Sequence, residues 1–118
     1  MVFGVALLLG EWQMFARSPL NPGLGNSDWY YRSVTAHGSA MGYVFPTLIA
    51  MGFGYAITEF ALKKPLIGSR WAWTGLILVA VGAVMAMIPV SLGLSSTLYT
   101  FYPPMIGSPF YYLGVVLV

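Results

Sequence analysis

The amino-acid sequence predicts an all-α fold: a polytopic transmembrane helical bundle with two full spans and two partial spans. Of the 118 residues, 58% are hydrophobic and only 7% are charged, whereas average soluble domains carry about 25% charged residues. Two apolar stretches also exceed the ~20 residues that a helix needs to cross the hydrocarbon core of a bilayer. Backbone groups in lipid must be hydrogen-bonded within their own segment, so these stretches are expected to be helices.

The two full spans are predicted at about residues 28–62 and 71–94. The apolar part of the first span starts only near residue 36, so this helix is expected to protrude from the membrane on one side. Pro46 and Pro89 lie inside the spans. Proline removes a backbone hydrogen bond, so a local kink is expected at each position.

Two shorter apolar segments stand at the ends of the chain. Residues 1–16 resemble the last part of a helix, and residues 109–118 resemble the start of another. Both ends look cut, so we expect one transmembrane domain that belongs to a longer polypeptide. Ser27 is the expected N-cap of the first full span, because its hydroxyl can accept a hydrogen bond from the first turn.

The distribution of basic residues predicts the orientation in the membrane. The loop at 63–70, KKPLIGSR, carries three basic residues, and short basic loops stay in the cytoplasm. The loops at 17–27 and 95–108 are then external.

Composition also excludes several classes of function. The net charge is only +2 and the basic residues are few, so nucleic acid is not an expected partner. The chain has no cysteine, which excludes disulfides, thiolate metal sites and cysteine nucleophiles within it.

His37 is the only histidine, and it lies on the outer half of the first span among small residues. An ionisable side chain inside a span is a functional candidate by default. Haem iron takes an imidazole nitrogen as axial ligand, and small neighbours would let a flat ring approach. The alternative is a histidine hydrogen-bonded across a helix interface. Gly42, Gly52 and Gly54 could likewise line a cofactor-facing groove or serve close helix packing.

Two carboxylates in or near the spans are read as structural. Glu11 could take part in a proton relay, but an interfacial carboxylate that pairs with Arg17 or reaches water is the simpler account. Glu59 stands four residues before Lys63, a favourable spacing for an ion pair on one helix.

The segment LYTFYPP at residues 98–104 combines two tyrosines with two prolines in an external loop. Such a rigid loop could present phenol donors to an anionic group, or it could form an aromatic belt at the membrane interface.

Together these segments resemble subunit I of the haem–copper oxygen reductases, and most closely the B-type branch. YYRSVTAHGSAMGYVF, at 30–45, resembles that family's second helix, with its histidine–glycine pair. STLYTFYPPMIG, at 96–107, resembles the loop before its fourth helix, where Y-T-F-Y-P-P is characteristic of the B-type branch. The resemblance covers nearly the whole chain.

The resemblance implies a role for individual residues. His37 matches one of the two axial ligands of the low-spin haem b, and Tyr99 matches the aromatic donor near a propionate of the high-spin haem. Tyr102, Pro103 and Pro104 match the rigid remainder of that loop. The second axial histidine, the copper ligands and the ligand of the high-spin haem belong to later helices, so no catalytic residue is expected in these 118 residues.

For the parent subunit, the resemblance implies a cytochrome c oxidase of the prokaryotic cytoplasmic membrane. It would reduce oxygen to water and pump protons, with electrons from a cytochrome c-like donor that arrive through a copper-bearing subunit II. The remainder of subunit I and the lipid bilayer are its other partners, and the chain alone is expected to be inactive. Two alternatives stay open: a subunit similar to nitric oxide reductase, or a small cofactor-free membrane packing protein.

Overall fold

The computed structural model describes residues 2–23, 26–98 and 106–118. Within these ranges the regular secondary structure consists of helices joined by loops, without a strand. The helices are α1 (Val2–Ala16), α2 (Ser27–Ser39), a π-helical turn (Ala40–Val44), α3 (Phe45–Leu62), α4 (Ser69–Ser91) and α5 (Pro109–Leu117).

Two helices are long and apolar enough to cross a membrane. The first is the continuous helix Ser27–Leu62, of 36 residues, which α2, the π-helical turn and α3 form together. The second is α4, of 23 residues. The predicted all-α fold, with two helices long and apolar enough to cross a membrane, is therefore confirmed.

The π-helical turn lies directly before Pro46. There the N–H of Phe45 donates to the carbonyl of Ala40, five residues back instead of four. Proline lacks an N–H, and its ring crowds the carbonyl of the residue four positions earlier. The wider turn relieves this crowding without ending the helix. The irregularity begins three residues after His37, so α2 itself remains a regular α-helix.

The ends of the helices differ from the predicted ends for local reasons. Asn26, and not Ser27, is the N-cap of α2, because its side chain accepts the Trp29 N–H at 2.9 Å. In the second long helix, α4 stops at Ser91 instead of near residue 94. Gly93 takes φ +77°, a left-handed conformation that ends the helix and that glycine adopts without strain.

Helices α4 and α5 make the closest crossing in the described part of the chain. A Cβ on Gly82 would lie 2.6 Å from the Gly114 carbonyl oxygen, and one on Gly114 would lie 2.5 Å from the Ala86 nitrogen. Small residues allow such an approach of two membrane helices. The crossing brings Tyr111 of α5 against Ala86 and Val90 of α4, and these three residues form the buried core.

We expect Gly114→Ala to destabilise the fold by about 1–3 kcal/mol, because the added methyl group meets backbone atoms that cannot rotate away. The measurement is the free energy of unfolding in detergent micelles. Gly52→Ala is the matched control: it is also a helical glycine, and a Cβ there meets no atom within 4 Å. Equal destabilisation by the two substitutions would contradict the close crossing.

Candidate functional site

His37 lies in the last turn of α2, half-buried, and its ring faces α1. Its Nδ1 is 2.7 Å from the carbonyl oxygen of Ala6, a residue that is completely buried. A carbonyl oxygen can only accept a hydrogen bond, so Nδ1 must carry the proton. The bond therefore selects one tautomer and leaves the lone pair on Nε2.

A second hydrogen bond joins the same two helices nearer the N-terminal end of α2. The buried Gln13 side chain of α1 donates through Nε2 to the carbonyl oxygen of Ser33 at 3.1 Å. The donor is thus on α1 in the Gln13 bond and on α2 in the His37 bond. Together they fix the register of the two helices on both sides of Gly10.

The opposite face of α2 is held by hydroxyl groups. The Ser39 hydroxyl and the Tyr111 hydroxyl of α5 are 2.6 Å apart, and both side chains are buried. The Thr35 hydroxyl donates to the Tyr31 carbonyl at 2.9 Å and accepts the Leu98 N–H at 3.0 Å. Since these contacts flank His37 in sequence, the backbone around the imidazole is held from two sides.

The predicted site residue Tyr99 lies outside the described residues, as do Tyr102, Pro103 and Pro104. The residue before them is described: Leu98 has φ +53° and is anchored on Thr35. Thr35 precedes His37 by two positions, so the chain enters the tyrosine–proline segment close to the level of the imidazole.

An apolar groove of about 490 Å³ opens between α1, α2 and α4. Ala36 and Ala40 line it, and at 3.6 residues per turn they lie roughly 60–100° round the helix axis from His37. His37 itself does not line the groove, which follows the adjacent strip of α2 that carries these two alanines. Its lining is almost entirely apolar: Val2, Val5, Leu9, Ala36, Ala40, Val44, Ala83, Val84, Met87, Ile88, Ser91 and Leu92.

The glycines that the sequence suggested for such a groove do not line it. A Cβ on Gly42, Gly52 or Gly54 meets no atom within 4 Å. Gly52 instead lines a second apolar groove, of about 330 Å³, between α3 and α4. Close packing against the described helices does not explain the three glycines.

The polar N-terminal end of α2 carries an ion pair. Nη2 of Arg32 lies 2.5 Å from Oδ2 of Asp28, four residues earlier on the same helix. The Arg32 guanidinium also lies 5.4 Å from the centre of the Trp29 ring. The same guanidinium, through Nη2, fills the space that a Cβ on Gly93 would occupy. The arginine thereby connects α2 to the end of α4.

The two ion pairs suggested by the sequence do not form among the described residues, in which Asp28–Arg32 is the one salt bridge. Glu59 instead accepts the Leu66 N–H at 3.1 Å, which closes the basic loop. The Arg17 guanidinium lies 5.8 Å from the centre of the Tyr30 ring.

Sequence reasoning found His37 but missed the residues that hold it, namely Ala6, Gly10, Ser39 and Tyr111. No sequence motif marks these residues. Ala6 acts through its backbone carbonyl and Gly10 through the lack of a side chain, and Ser39 and Tyr111 are 72 residues apart. The i, i+4 spacing of Asp28 and Arg32 was a readable signal. Within the described ranges no group of three or more potential metal-ligating side chains occurs, so His37 is a single candidate ligand.

The fold and the site define a helical integral membrane protein with one tautomer-fixed imidazole inside a span. The model of the family "Cytochrome C and Quinol oxidase polypeptide I" matches residues 1–118, and the chain belongs to that family. Members of this family belong to membrane-embedded oxidase complexes that contain further subunits. The family generally binds haem and copper. No curated protein and no solved structure matches the chain. The resemblance read from the sequence is confirmed at the level of the family.

The bond between Ser39 and Tyr111 can be measured with a double-mutant cycle. Ser39→Ala and Tyr111→Phe are each expected to lower the free energy of unfolding by about 1–3 kcal/mol, because each leaves a buried hydroxyl or its former partner unsatisfied. The double variant should lose less than the sum of the two. Ser91→Ala is the matched control, since that exposed hydroxyl bonds only within its own helix. Simple additivity would show that the two hydroxyls do not interact.

Proposed function

We propose that His37 is one of the two axial ligands of a low-spin haem b in subunit I of a B-type haem–copper oxygen reductase. The observation that carries the proposal is the 2.7 Å contact of Nδ1 with the Ala6 carbonyl. Haem ligation and a helix–helix hydrogen bond were alternatives in the sequence, but they need different ring nitrogens. With Nδ1 committed to α1, Nε2 keeps the lone pair that an iron ligand requires.

The Ala6 carbonyl also tunes the imidazole. A hydrogen-bond acceptor on the distal nitrogen of a ligating histidine orients the ring and raises its basicity. In this chain the acceptor is a backbone atom in a completely buried position, so its placement depends on the path of α1 and not on a side-chain rotamer.

The surroundings of His37 fit a flat ring. The small side chains of Ala36 and Ala40 leave space on the neighbouring surface of α2, and the apolar groove opens along this surface. When bound, the haem iron supplies a one-electron carrier between the electron donor and the oxygen-reducing centre. The second axial ligand, the high-spin haem and the copper belong to the remainder of subunit I.

We assign Tyr99 as a hydroxyl donor toward a propionate of the high-spin haem, with Tyr102, Pro103 and Pro104 as the rigid part of the same loop. The anchoring of Leu98 on Thr35 supports this assignment, because it ties the start of the loop to the helix that carries His37. The Y-T-F-Y-P-P sequence supports the B-type branch.

The parent enzyme would reduce oxygen to water and pump protons, in a prokaryotic cytoplasmic membrane. A copper-bearing subunit II and a cytochrome c-like donor would deliver its electrons. Residues 1–118 alone are not expected to reduce oxygen, because His37 is the single histidine they contain.

Replacement of His37 by leucine is expected to abolish the low-spin haem signal of the assembled oxidase, because the iron loses an axial nitrogen. Visible absorption and electron paramagnetic resonance (EPR) spectra measure this loss. The copper and high-spin haem contents serve as the control for assembly. A variant that kept a bis-histidine low-spin spectrum would overturn the assignment of His37.

Orientation can be tested by cysteine labelling, because the chain has no cysteine of its own. Leu20 is 81% exposed in the proposed external loop, and Ile67 is fully exposed in the basic loop. With any other cysteines of the subunit replaced, Leu20→Cys should react with a membrane-impermeant maleimide in intact cells. Ile67→Cys should react only in inside-out vesicles. The reverse pattern would invert the proposed topology.

A further inference from the structure

We infer that Gly10 is a positioning residue for the His37 imidazole, and that the absence of a side chain there determines where the ring lies. The inference rests on the proposed function of His37 as a haem ligand. Gly10 itself would not touch the haem, and it would act only through the histidine.

The geometry places Gly10 against the edge of the ring that contains both nitrogens. A Cβ at this position would lie 3.0 Å from Cε1, 3.4 Å from Nδ1 and 3.7 Å from Nε2 of His37. The first distance is shorter than an ordinary carbon–carbon contact of about 3.5–4.0 Å. Any side chain at position 10 would therefore push on the edge through which the imidazole binds.

The ring cannot simply move away, because the Ala6 carbonyl holds it against α1. Ala6 and Gly10 are four residues apart, so they lie one above the other on the same face of the helix. The hydrogen bond thus draws the ring toward α1 at the place where a side chain would repel it.

The backbone of α2 is also held in place. Gln13 binds the Ser33 carbonyl on one side of the histidine, and the hydroxyls of Ser39 and Tyr111 meet on the other. A side chain at position 10 would consequently rotate the imidazole or lengthen its bond to Ala6, while the helix stays where it is.

Both changes have a signature at the iron. Rotation of the imidazole plane alters the EPR g values of a low-spin ferric haem. A longer bond between Nδ1 and the Ala6 carbonyl makes the imidazole a weaker donor. A weaker donor stabilises ferric iron less, so the midpoint potential of the low-spin haem rises.

The test compares Gly10→Ala and Gly10→Val with Gly4→Ala and Gly4→Val in the assembled oxidase. Gly4 is the matched control because it lies in the same helix and a Cβ there meets no atom within 4 Å. We expect Gly10→Ala to shift the largest g value and to raise the midpoint potential. Gly10→Val should shift both further or abolish the low-spin signal, and the Gly4 variants should match the unsubstituted enzyme.

Unchanged g values and an unchanged potential in Gly10→Ala would overturn the inference, as would equal shifts in the Gly4 variants. If Gly10→Val fails to assemble, as judged by copper and high-spin haem content, the alanine variant decides alone. His37→Leu distinguishes the positioning role of Gly10 from the ligand role of His37. If it removes the low-spin signal while Gly10→Ala changes nothing, the positioning role falls and the ligand assignment stands. If His37→Leu keeps the signal, both fall.

Discussion

The N–H of an imidazole inside a bilayer needs a protein partner, because no water is available there to accept it. His37 finds this partner in the carbonyl of Ala6, at 2.7 Å. The one contact joins α1 to α2, selects the tautomer and leaves Nε2 as the basic nitrogen. If α1 were displaced, the acceptor would be lost, and His37 would keep neither its orientation nor its defined protonation. The remaining contacts of α2 are best understood as supports for this bond.

Helix α2 presents different chemistry on its two sides. One side carries the imidazole toward α1, while the other carries the hydroxyls of Thr35 and Ser39 toward Leu98 and Tyr111. Polar contacts between helices are favoured in lipid, where apolar surface gives little drive for association. The irregular turn that Pro46 requires falls after this segment. The strain of the proline is therefore absorbed outside the part of the helix that holds the histidine.

Hydrophobicity and length predicted much of the architecture, because the bilayer imposes a strong constraint on both. They predicted the all-α fold and its two long spans, and the single histidine stood out as a candidate. The supports of His37 could not be predicted, because they depend on which faces of separate helices meet. The choice between Asn26 and Ser27 as N-cap was equally closed to sequence reasoning, since both residues cap helices well. The glycines at 42, 52 and 54 formed a visible pattern, but the sequence did not show which surface each of them faces: Gly52 lines the groove between α3 and α4, and none of the three lines the groove between α1, α2 and α4.

Helix α3 shows what the lipid contributes to stability. None of its residues is buried against the described part of the chain, and Phe60 is 83% exposed. In water such a helix would aggregate, whereas in a membrane its own backbone bonds and apolar side chains suffice to keep it stable. The stability of α3 in lipid therefore does not depend on packing against the other described helices. Lipid or further membrane helices could cover its exposed apolar surface without any change to the contacts around the histidine.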